Sequence, residues 1–145
     1  MHFGHINPIF FVVVALISGG CIFSLWKGAP AERLGGAIVL ANLLAVMMFG
    51  SARPLGTEPV AELFVDGLTA LALLGVVLVY GSLWLGGVML LYALLFSLHA
   101  FYFVTERAPD RLHAIVNNLD SLGITACLVI GTIVAWRRRS RTAAA

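Results

Sequence analysis

Charge is what this sequence has least of. Only 11% of its 145 residues are Asp, Glu, Lys or Arg, while 61% are hydrophobic, and an ordinary soluble domain carries about 25% charged residues. So little charge leaves no stretch from which a separate soluble domain could be built, and residues 1–145 read as a single integral membrane domain. Cysteine is scarce too. Cys21 and Cys127 stand in apolar segments without a CxxC spacing, which gives no disulfide framework and points to free thiols. The phosphate loop, the GxSxG elbow, the dinucleotide fingerprint, HExxH and the paired ExxH pattern are all missing, and with them the motif grounds for an enzyme. No basic run precedes the first apolar segment, so that segment reads as an anchor rather than a cleaved signal peptide.

What the chain does have is long apolar runs. Residues 67–105 contain no acid or base other than His99, with the pair Gly86 and Gly87 near the centre. About 30 Å of hydrocarbon crossed at about 1.5 Å per residue takes roughly 20 residues, so this run holds two spans joined at a turn. Five apolar segments follow from the same count, roughly 8–26, 34–50, 63–84, 85–104 and 114–136, with a basic tail over 137–145. The expected fold is all-α: a polytopic transmembrane helical bundle of about five spanning helices. A faint repeat relates Gly35-Gly36 to Gly86-Gly87 and the stretch from Asp66 to that from Asp120. It suggests two tandem helical hairpins plus an N-terminal helix.

The basic residues give an orientation. With the tail Arg137, Arg138, Arg139 and Arg141 in the cytoplasm, alternation also places Lys27 and Arg33 inside, six of the nine Lys and Arg, as the positive-inside rule expects. Trp26, Trp84 and Trp136 then share the inner boundary, where amphipathic rings settle. The expected location is a bacterial inner membrane, N-terminus out and C-terminus cytoplasmic.

That topology gathers the chemistry at the other end. Glu58, Glu62, Asp66, Glu106, Asp110 and Asp120, with His2, His5, His99 and His113, belong to the outer half, and only Glu32 is inside. Glu62, Asp66 and Thr69 share a face of helix three, and His113, Asn117, Asp120 and Ser121 form a stripe on helix five. Helix four adds Tyr92, Phe96, His99 and Tyr102 or Phe103, and Asn42 extends the set from helix two. Asp110 reads as the N-cap of helix five and Thr57 as that of helix three. Counted from a turn at Gly86, Asp66 is 20 residues away, about 30 Å, which leaves it in water at the boundary. Asp120 and His99 fall about 5–10 Å below the surface, where a carboxylate needs a partner; His99 and Asn117 are the candidates for Asp120.

The expected function is therefore an outward-facing pocket that binds or moves a proton, ion or small polar ligand through Glu62, Asp66, His99, His113, Asn117 and Asp120. A histidine beside a carboxylate would supply a proton-linked switch. One alternative is a metal-dependent membrane enzyme using the same residues, with His2, His5, His99 and His113 as ligands to a divalent metal; otherwise no cofactor is expected. Another is a structural accessory subunit of a larger membrane complex. Expected partners are the lipid bilayer and a second protomer or a larger complex, and no nucleic acid.

Overall fold

A computed structural model describes residues 8–51, 58–108 and 110–143, with side chains over 11–48, 60–108 and 110–143. His2, His5 and the Thr57 cap lie outside the described residues. Those described form α1 (Pro8–Lys27), α2 (Pro30–Ser51), α3 (Glu58–Tyr80), α4 (Leu83–Val104) and α5 (Arg111–Thr142). The protein is an all-helical transmembrane bundle. α2 to α5 are each long and apolar enough to cross a membrane, and α1 adds an apolar stretch over Phe11–Lys27.

The bundle is a ring closed in chain order. Each helix packs on the next, and α5 returns to pack on α1. With five helices alternating in direction, α1 and α5 are parallel neighbours, and Gly20 makes room between them for Thr125 and Val129. Outward faces are apolar: Leu78, Val79, Leu83 and Val104 are exposed, as lipid-facing side chains must be. Inward faces carry Cys21, Val39, Leu73, Leu85, Val88, Ile124 and Leu128 as a core. Several hydroxyls inside the spans are satisfied within their own helix, Thr132 Oγ1 donating to the Leu128 carbonyl at 2.8 Å and Ser97 Oγ to that of Ala93 at 2.8 Å.

The α3–α4 turn is the main correction to the sequence reading. It falls at Gly81-Ser82, not at Gly86-Gly87, which lie inside α4. Gly81 takes φ +63° and its amide bonds the Val77 carbonyl at 2.8 Å, the left-handed helix stop that a residue without Cβ allows cheaply. Gly87 instead leaves space for the Cys127 sulfur. Gly123 and Gly131, eight apart on α5, both face α4, against Leu91 and Trp84. Their shared face is thus an internal seam.

Helix ends also differ from the apolar limits. α2 starts at Pro30 rather than near 34, because proline suits the first helical position and the next three residues need only be exposed or paired, not apolar. α3 starts at Glu58 with Pro59 in its first turn. At the far end the basic tail does not leave the helix: α5 continues to Thr142, since arginine is a good helix former and no glycine or proline follows Trp136. One tail side chain, Arg139, donates to the Lys27 carbonyl at the C-terminus of α1.

Moving the turn resets the depths. Asp66 is 15 residues from Gly81, about 22 Å, and His99 is 17 from Ser82, about 25 Å. Asp120, 17 from Arg137, is also at about 25 Å. All three therefore share one level inside the bundle.

Candidate functional site

At that level lies a cavity of about 570 Å³. Its lining lies in the half of the bundle nearer the α2–α3 and α4–α5 connections, called here the acidic end; the opposite end, with the arginine run, is the basic end. The walls are segregated. α1 and α2 contribute Val13, Val14, Ile17, Leu43 and Val46, together with the amide of Asn42. α3 and α4 present Glu62, Asp66, Tyr92 and His99 beside Leu95, and α5 presents His113, Asn117, Asn118 and Ser121 beside Ile124. Helical spacing explains this second wall: 62 and 66 are one turn apart, as are 113, 117 and 121.

Asp66 is the hub, and it is not wet. It is 2% exposed. Its Oδ2 lies 2.7 Å from His99 Nδ1, and its Oδ1 accepts from Asn42 Nδ2 at 3.1 Å. The second hydrogen of that amide goes to Thr69 Oγ1 at 3.0 Å, and the Thr69 hydroxyl donates to the Val65 carbonyl. Tyr92 completes the group, its hydroxyl donating to Asn42 Oδ1 at 3.4 Å. A carboxylate that carries no proton can only accept, and against such a partner the imidazole holds its proton on Nδ1 and leaves Nε2 for another group. That nitrogen is 3.9 Å from Glu62 Oε2. His99 thus stands between two carboxylates of the same helix, one buried and one partly open. His113 faces it from α5 with ring centroids 5.3 Å apart.

Asp120 departs from the expected pairing. Neither His99 nor Asn117 bonds it; His99 is taken by Asp66, because the turn at Gly81-Ser82 shifts α3 inward and α4 outward relative to a turn at Gly86 and so brings Asp66 level with His99. The Asp120 side chain is 4% exposed and both its oxygens lack a hydrogen-bond partner. It is nonetheless within electrostatic reach of both Asp66 and His99. On α4, Tyr92, His99 and Tyr102 are buried, whereas Phe96 and Phe103 of the expected stripe are exposed.

Next to the site, Asp110 ties the end of α4 to the start of α5. Its Oδ1 accepts from the His113 backbone N–H at 2.9 Å, capping α5, and from the Tyr102 hydroxyl at 2.7 Å; Arg107 lies 3.1 Å from Oδ2. The Tyr102 hydroxyl first, then the His113 amide, hold this carboxyl below its ordinary value. A depressed carboxylate supports the fold above its unfolded value and loses that support as pH falls through its folded one. Hydrogen exchange at the first turn of α5 is accordingly expected to stay slow from neutral pH down to about pH 4 and to quicken below. Asp110→Ala should remove the protection at every pH.

Comparison with protein-family models, with curated proteins and with solved structures finds no match. The geometry alone carries the reading. It brings Glu62, Asp66, His99, His113 and Asn117 to one cavity and sets Asp120 at the same level. Among the described residues no three His, Cys, Asp or Glu are grouped to hold a metal ion, and the expected ligands His2 and His5 lie outside those residues. The sequence reading passed over one polar site entirely. Glu32, the lone acid of the basic end, is 6% exposed, with one carboxylate oxygen unpartnered; its isolation among basic residues was the signal.

Proposed function

We propose that this chain is a small multi-pass protein of a bacterial inner membrane, N-terminus outside and C-terminus cytoplasmic, that binds a proton and with it an ion or small polar ligand in the acidic-end cavity. The observation that carries the proposal is Asp120: a carboxyl buried in a span with no donor to either oxygen. An ionised carboxylate in that place is uncompensated, at about 2.5–3.5 kcal/mol on insertion scales at mid-span and less toward the edge. A bound proton or a cation removes that cost. The placing of six of nine Lys and Arg at one end supports the orientation, in which the cavity belongs to the outer half.

The neighbouring groups supply a route. Glu62 is the more open carboxylate and faces His99 Nε2, while Asp66 fixes the ring through Nδ1. A proton taken up at Nε2 turns the imidazole into a donor at both nitrogens. It then draws Glu62 toward the Asp66 hub and changes the field at Asp120. Histidine titrates in the range of roughly pH 5–8, so the cavity would switch between two charge states under ordinary conditions.

Infrared difference spectroscopy of the purified chain across that pH range is the test. The protein is expected to show a carboxyl band that Asp120→Asn removes, and an imidazole signal that His99→Gln removes, with the pH dependence of the carboxyl band altered in His99→Gln. Identical spectra for the protein and both variants would refute the proposal.

A further inference from the structure

A second cleft, of about 440 Å³, opens at the basic end between the start of α2, the α3–α4 turn and the last part of α5. Glu32 forms its buried floor. Its Oε1 accepts from Ser82 Oγ at 3.3 Å across the bundle, and its Oε2 has no partner. Arg138 and Arg139 line the same cleft. The Arg139 guanidinium is engaged by the Lys27 carbonyl, while Arg138 has no carboxylate within ion-pair distance among the described residues. The cleft thus has in its wall one carboxylate oxygen that lacks a partner and is itself covered, and one unpaired guanidinium, and the two do not meet each other.

Such a pair is complementary to a ligand carrying both signs of charge. The guanidinium fork matches a phosphate, and Glu32 Oε2 needs an N–H donor. A primary ammonium provides one; a quaternary ammonium has no N–H, and a purely anionic headgroup would meet the buried carboxylate with repulsion. The position indicates where such a ligand comes from. Trp84 lines the cleft, Trp26 and Trp136 flank Lys27 at 4.4 and 5.2 Å from its ammonium to the ring centroids, and α3 ends and α4 begins here. Tryptophan and lysine at span ends mark the depth of lipid headgroups.

We propose that this cleft binds the ammonium–phosphate headgroup of an ethanolamine phospholipid, the ammonium donating to Glu32 Oε2 and the phosphate lying on Arg138. The site is separate from the acidic-end cavity and stands without it.

The test uses the full chain, purified and delipidated in mild detergent, with binding measured by native mass spectrometry. Phosphatidylethanolamine, phosphatidylcholine and phosphatidylglycerol of identical acyl chains are compared, with soluble O-phosphoethanolamine as a competitor. The ethanolamine lipid is expected to bind about tenfold more tightly than either of the others, the worth of one charge-assisted bond. Glu32→Gln should erase its advantage over the glycerol lipid, and Arg138→Gln should weaken both alike. Equal binding of the three lipids overturns the proposal, as does an unchanged preference in Glu32→Gln. Displacement of the lipid by the soluble ester at equal concentration would assign the site to a free phosphomonoester and overturn the lipid source. Because the three-lipid comparison is made on the unaltered chain, it decides the matter even where a variant fails to fold.

Discussion

Asp66→Leu is expected to destabilise the bundle by about 2–3 kcal/mol, measured as a shift in the unfolding midpoint of detergent-solubilised protein. Breaking a buried pair in a soluble interior costs about 3–5 kcal/mol, while an average hydrogen bond between spanning helices is worth only about 0.6. Asp66 lies between these limits because its two oxygens serve two helices at once, holding His99 on α4 and Asn42 on α2. Leucine fills a similar volume yet leaves the imidazole and the Asn42 amide without the acceptor that each uses in the hub. Asp66→Asn keeps an acceptor for His99 and should cost less than half as much. A leucine variant as stable as the parent chain would mean that the hub holds nothing together.

The hub was only partly legible in the sequence. The all-helical membrane fold followed from composition and run length, because the bilayer sets the length of its spans and tolerates few charges. Residue spacing also placed Glu62 with Asp66 and His113 with Asn117, since one helix fixes its own faces. Register between helices could not be read in this way. It depended on the α3–α4 turn, where the conspicuous Gly86-Gly87 pair competed with a single Gly81. Glycines that serve helix packing and glycines that stop helices look alike in one dimension; Gly87 faces Cys127 and Gly81 takes the positive φ. That displacement of five residues sank Asp66 from the boundary into the interior and gave it His99. The partners of Asn42 were beyond the same method, because its three bonds reach 24, 27 and 50 residues along the chain.

The same substitution at the same depth is expected to have the opposite sign at Asp120. Asp120→Leu should raise the unfolding midpoint, by about 1–3 kcal/mol, the usual cost of a buried polar group left without a partner. No donor is orphaned when this carboxyl goes, since neither of its oxygens is bonded. The gain in stability should come with loss of the carboxyl infrared signal and of any proton-linked ligand binding, because a group kept at such a cost serves a purpose other than packing. Two carboxylates, 54 positions apart and both buried, would then divide the labour: one builds the cavity and the other does its chemistry. An Asp120→Leu variant that unfolds more readily than the parent would show instead that Asp120 is bonded in the membrane and belongs to the scaffold.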